Sequence, residues 1–443
     1  MKNTRRIAGS SCRRCYSRWG RGSKFFAWLL MGAMLSGCAT TRVPPMGYQG
    51  QPFRLEPDER ALWSEAEKEE DKLVKTGKVY SDPLLEEYLS GLAAKLAPAT
   101  QVAGGPPIRV TVFRDPTLNA FAMPNGHVYV HTGLLARVQN EAQLATILGH
   151  ELTHVTNRHA LQFNRDARNK QLLFGLVGVA AAIGVAVATG SQARQGNYVT
   201  AEVLRTTSNL FLGLGLTLAY TAAVNGFGRD LEREADAEGM DRMVGAGYDP
   251  REAPKVFGLL KKDYGDAGPI ENFFFGNHPR LDERIQSTEE LLRTRYAGLD
   301  ADRLERDSEE FHMRMRTVVR ENAALDIRAG RFNTAKDQLD RVLALAPKDP
   351  VTHVYYGDLY RLQAQRAKRA EDRPALIEKA RAAYERAAAL DPTYPDPLRQ
   401  LGFLYYQTKD AERAMDAFRR YLALKPDAPD ARRIKEYLAE LDR

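Results

Sequence analysis

The chain has 443 residues, 44% of them hydrophobic and 27% charged, with a formal net charge of +7 and three cysteines. Its length exceeds what one hydrophobic core usually serves, and its apolar share excludes an intrinsically disordered chain. The positive excess is local: residues 1–24 carry eight Lys or Arg and no acid, so the rest holds 56 basic against 57 acidic residues and offers no basic face for nucleic acid.

That basic stretch is followed by a short apolar run, Phe25 to Leu35, and then by Leu35-Ser36-Gly37-Cys38, so residues 1–37 read as a secretory signal peptide ending in a lipobox. The thirteen residues between Lys24 and Cys38 are too few to span a bilayer comfortably. Resemblance to bacterial lipoproteins implies cleavage before Cys38 and acylation of its thiol. With Ala39 next, it also implies outer-membrane sorting, the body of the protein lying in the periplasm. Cys12 and Cys15 fall in the leader, which leaves no pair for a disulfide in the mature chain.

Residues 38–54, with their Pro and Gly, are expected to form a tether. Helical periodicity follows over about 57–75 and 82–97. Ile108 to Phe113 alternates as a strand, and Asn119–Met123 with His127–His131 flank Pro124-Asn125-Gly126 as a hairpin. His127 and His131 share one face of their strand and are assigned to packing.

The next segment carries the chemistry. Asn140-Glu141-Ala142-Gln143 is a capping box, and Leu144, Ile147, Leu148, Leu152 and Val155 follow at helical spacing. On this helix lies His150-Glu151-Leu152-Thr153-His154. At about 100° per residue the two histidines sit about 40° apart, so both imidazoles reach one metal, while Glu151 flanks them as a general base for water that zinc acidifies from about 15.7 towards about 7. His159 lies about 180° around the helix from His150, so it cannot share that metal. A catalytic zinc takes three protein ligands, and Glu232 in Glu232-Arg233-Glu234-Ala235-Asp236 is the expected third. Asp236, one turn on, is expected to accept the second N–H of His150, and the small Ala235 to let the two helices pack closely.

These strings, with Asn119-Ala120-Phe121-Ala122-Met123-Pro124-Asn125-Gly126, Thr132-Gly133-Leu134-Leu135, His278-Pro279 and Arg284-Ile285, resemble the HtpX and CAAX-prenyl-protease superfamily of zinc endopeptidases over roughly residues 55–295. Within it the likeness is to BepA-type periplasmic members with tetratricopeptide (TPR) repeats. Asn125 departs from the glycine of many relatives, although Asn also tolerates a left-handed turn. The resemblance implies an α+β fold, a mostly helical zincin domain with a small sheet over 55–300, in which Asn119, Ala120 and Phe121 form an edge that binds substrate backbone beside one Zn²⁺. For His278 it implies a resting-state zinc ligand, with oxyanion stabilisation as the other role.

Two apolar stretches, Leu172–Ala188 and Leu210–Val224, lie between the metal helices. At seventeen residues or fewer they are read as a helical hairpin, buried or brushing lipid, in preference to a membrane span. Beyond 300 an all-α TPR solenoid of about three repeats is expected over 301–443. The last copy shows Leu398, Leu401, Gly402, Tyr405, Ala414, Phe418 and Pro426. The second shows Gly357, Tyr360, Ala380, Tyr384, Ala387 and Pro392, with a long turn over Gln363–Pro374. The first shows Gly330, Ala335, Leu339 and Pro347, with Asp326 where an aromatic is usual. The whole reads as a lipid-anchored periplasmic zinc endopeptidase acting on unfolded or stalled envelope proteins, its repeats recruiting substrates or the outer-membrane assembly machinery. The alternative is a chaperone or assembly adaptor whose protease is largely self-inhibited.

Overall fold

The computed structural model describes residues 41–97, 105–169, 227–265 and 281–443. Val43–Asn164 and the described residues from 227 onward belong to one compact unit. Cys38, His278 and both apolar stretches lie outside the described residues. Among the described residues, no helix is long and apolar enough to cross a membrane.

The first two helices start where their sequences cap them. Glu56 and Glu59 form a reciprocal capping box for α1 (Pro57–Lys75), and the Asp82 side chain accepts from the Leu85 N–H to open α2 (Pro83–Leu96). Strands β1 (Arg109–Phe113), β2 (Ala120–Ala122) and β3 (His127–His131) follow. The expected hairpin is present, with β2 antiparallel to β3, and β1 joins β3 in parallel, giving the order β1-β3-β2. Among the described residues, strand β2 is therefore an edge. His127 bonds Glu70 and Thr111, and His131 bonds Thr117, so both serve packing. Burial holds His131 down at about 4.

Helix α3 (Glu141–Thr156) packs on β2 and on α4 (Arg229–Gly245), which is followed by α5 (Ala253–Gly265) and α6 (Leu281–Arg293). Leu144, Leu148 and Leu152 of α3 are fully buried in the main core with Val112, Val128 and Val130 of the sheet. The residues expected to form a tether are attached from Val43 onward. Val43 packs on Leu62 and Leu161, the Met46 N–H donates to the Thr156 carbonyl at 2.8 Å, and the rings of Phe53 and Trp63 stack. Short apolar and aromatic side chains between the Pro and Gly residues gave these residues something to bury, which composition alone concealed.

Three helix pairs complete the chain: α7 (Glu309–Ala329) with α8 (Phe332–Leu345), α9 (Pro350–Arg366) with α10 (Arg373–Leu390), and α11 (Asp396–Gln407) with α12 (Ala411–Leu424), ending in α13 (Ala431–Leu441). Gly402 is required by the last pair, because a Cβ there would stand 2.4 Å from the Phe418 ring. The extra residues of the middle repeat mostly lengthen its helices, 17 and 18 residues against 12 and 14 in the last, so the long turn expected over Gln363–Pro374 is only partly a turn.

The first pair is built into the core of the preceding domain. Phe311, Met315, Val318, Val319 and Val342 join the same buried cluster as Leu144 and Leu148. Asp326, placed where an aromatic is usual, is fully buried and gathers Arg331, Gln338 and Asn322. Arg137 reaches it from the segment after β3 at 3.5 Å, and Arg341 donates to the carbonyls of Ala136 and Val138.

Candidate metal centre

Helix α3 is buried along its whole length, so its polar residues need internal partners. The Asn140 side chain accepts from the Gln143 N–H at 2.9 Å, opening the helix as expected. The reciprocal half of the box is redirected: Gln143 accepts from the Gln139 N–H, and both amides donate to Glu252. Helices α3 and α4 meet at two glycines. A Cβ on Gly149 would stand 2.8 Å from the Gly239 carbonyl oxygen, and one on Gly239 would stand 2.9 Å from the His150 nitrogen. Ala235 is buried at the interface, but this glycine pair sets the closest approach.

That approach brings three donors together. The Nε2 atoms of His150 and His154 are 3.0 Å apart, and Glu232 places its carboxylate oxygens 3.4 Å from the first and 3.7 Å from the second. A tetrahedral ion at about 2.0–2.1 Å from each donor holds its ligands roughly 3.4 Å apart, so the set fits a divalent metal. Two imidazoles and one carboxylate also leave one position open for water or substrate.

The surrounding residues fix these donors. Asp236 lies 2.8 Å from the His150 Nδ1, which directs the Nε2 lone pair at the metal position. Arg284 from α6 grips both Asp236 oxygens, at 2.9 and 2.5 Å, and stacks over Phe257. Despite complete burial, Asp236 is held below the usual carboxylate range by Arg284 and His150. The Phe227 N–H donates to Glu232 at 2.8 Å while its ring stacks on His154 at 4.5 Å. Against burial and the nearby Arg284, the two carboxylates push His150 up to about 9, so protons compete with metal for its Nε2. Burial pushes Glu151 up to about 7 against the pull of His150, with Glu232 adding to the rise. That value suits a base working near neutral pH.

Glu151 and His150 line a pocket with Ala120, Leu134, Ile147, Val256, Phe257, Leu260 and Arg284, a mostly apolar wall beside two reactive groups. The Ala122 backbone N–H of β2 lies near enough to favour the ionised Glu151 carboxylate, which places the edge strand beside the proposed base. Of the residues expected along that edge, Ala120 faces this pocket, whereas Phe121 stacks on Tyr129 in a separate small cluster. The Asn119 amide is buried, and neither its nitrogen nor its oxygen finds a partner. An orphaned buried amide costs about 1–3 kcal/mol, which is reason to look for a ligand that completes it.

Four contributors were not legible as site residues. Arg284 was visible only as part of a resemblance, and a lone arginine 48 residues after Asp236 gives no spacing signal. Phe227 acts partly through its backbone, Gly239 through its missing side chain, and His159 through a helix break. Helix α3 ends at Thr156, and Arg158 adopts a left-handed φ of 57° before the chain turns helical again at 159. His159 therefore does not continue around the same helix. It returns beside His154, outside the donor trio but touching it.

Residues 83–292 match Peptidase family M48, and residues 364–439 match a tetratricopeptide repeat family. The beta-barrel assembly-enhancing protease of Escherichia coli O157:H7 is 30% identical over 176 residues, 39% of this chain and 32% of that protein. The mitochondrial metalloendopeptidase OMA1 of Arabidopsis thaliana is 33% identical over 174 residues, 39% of this chain and 30% of that one, and OMA1 of Schizosaccharomyces pombe is 30% identical over 181 residues, covering 41% and 45%. The chain thus spans less than half the length of these relatives. Set beside the donor trio on α3 and α4, these matches mean that the chain carries a Peptidase family M48 domain joined to tetratricopeptide repeats, with homology to the beta-barrel assembly-enhancing proteases.

Proposed function

We propose that the chain is a zinc-dependent endopeptidase of the bacterial envelope, its repeats presenting protein clients to the metal site. The observation that carries the reading is Glu151, a buried carboxylate of raised pKa beside the trio His150, His154 and Glu232 and on the wall of a pocket bordered by an edge strand. When bound, zinc supplies Lewis acidity for the scissile carbonyl and lowers the pKa of water. Glu151, ionised, takes a proton from the attacking water and then donates it to the leaving amine nitrogen. Asp236 and Arg284 keep His150 in one tautomer during these transfers. The side of β2 that no described strand covers and the Asn119 amide, unpartnered among the described residues, suit an extended peptide backbone, while the apolar pocket takes one side chain.

The proposed clients are unfolded or stalled outer-membrane proteins. This rests on the homology to beta-barrel assembly-enhancing proteases and on the leader sequence ending at Cys38. Chelation of purified protein should abolish cleavage of an unfolded β-barrel protein, and one equivalent of Zn²⁺ should restore it. Cleavage that survives complete metal removal would overturn the proposal.

A further inference from the structure

We propose that His159 is a positioning residue for the metal site: its Nδ1 accepts the Nδ1–H of His154 and so aims the His154 Nε2 at the metal. The inference rests on the metal-site reading above. The two Nδ1 atoms are 2.8 Å apart, and the rings meet edge to face at 4.9 Å. His154 must present an unprotonated Nε2 to bind metal, so its proton sits on Nδ1, and His159 Nδ1 is then the acceptor. That tautomer puts the His159 proton on Nε2. This atom is buried without a hydrogen bond and lies 3.7 Å from a Glu234 oxygen, whose charge favours the same tautomer.

The contact is built in. Arg158 holds the left-handed break by a paired hydrogen bond to Glu59, at 2.9 and 2.5 Å, and without that break His159 would lie on the far side of α3. Asn157 holds Glu234 at 2.7 Å and Glu238 at 2.9 Å, and Phe227 closes over both imidazoles. The two histidine ligands are thus supported differently: His150 by a carboxylate that an arginine clamps, His154 by a neutral imidazole.

Zn²⁺ affinity, read by competition with a chelator on the full chain, tests the assignment. His159→Asn keeps an acceptor at the Nδ1 position. His159→Gln carries its amide one carbon further, and His159→Leu removes the acceptor. Leu and Gln should bind Zn²⁺ about 10–100-fold more weakly and Asn within a few-fold of wild type, with a matching split in the visible spectrum of the Co²⁺ form. If Leu does not fold, the Asn and Gln pair decides. Equal loss in Asn and Gln, or no loss in either, overturns the inference. A wild type that binds no Zn²⁺ overturns the underlying metal reading instead.

Discussion

Glu151 is the residue on which pH dependence turns. Its pKa is raised by burial to about 7, and as a base it works only when ionised. Activity should therefore rise with pH through about 7. Acid adds a second loss, because the proton that Asp236 and Glu232 favour on His150 must leave before metal binds. A profile of kcat/KM at saturating Zn²⁺ isolates the first effect, and a limb centred below pH 5 would contradict the assignment. The two histidines and Glu151 were legible because their chemistry demands i, i+4 spacing on one helix. Glu232 and Asp236 were legible because a carboxylate ligand and its neighbour one turn on share a face. Arg284 and Phe227 were not, since one reaches across from another helix and the other bonds through its backbone. His159 was misplaced by treating α3 as unbroken: an arginine carries no signature of a left-handed turn, and its Glu59 partner lies 99 residues earlier.

Among the elements, α3 and α4 carry the whole donor trio, so their separation sets its geometry. Gly149 and Gly239 permit that separation, and Arg242 locks it by donating to Thr153 and Thr156 at 3.0 and 2.6 Å. Gly239→Ala forces a methyl group against the His150 backbone. A cost of about 1–3 kcal/mol is expected, together with weaker Zn²⁺ binding, because α4 moves and takes Glu232 with it. Urea unfolding and zinc titration of the variant measure both, and wild-type values in both would mean that the helices are not held at contact there. Helix and strand positions followed from periodicity, and at Asn140 from a capping residue. The parallel pairing of β1 with β3 did not, because it joins strands that are not hairpin neighbours and no turn encodes it.

At the scale of the molecule, the repeats divide in two. Repeat spacing identified three copies but not that the first is embedded in the protease core, since a repeat pattern specifies its own packing and not its outer neighbours. Phe311, Met315, Val318, Val319 and Val342 are each buried in that core, at roughly 1.5–3 kcal/mol per side chain. A chain ending at 300 should thus lose on the order of 10 kcal/mol of support and fail to accumulate as folded protein, whereas one ending at 348 keeps these contacts. Thermal unfolding of the two truncations compares them, and equal stability would show that the first repeat is dispensable to the core. The later pairs have their own buried cluster around Tyr384 and Phe418.

The central claim is that this site hydrolyses peptide bonds with Glu151 as the base. Glu151→Gln keeps the shape of the side chain and all three metal donors, so purified variant and wild type should each hold one Zn²⁺ per chain. The variant should cleave an unfolded outer-membrane protein about 10²–10⁴-fold more slowly. Equal cleavage by the two proteins, with equal metal content, would contradict the account.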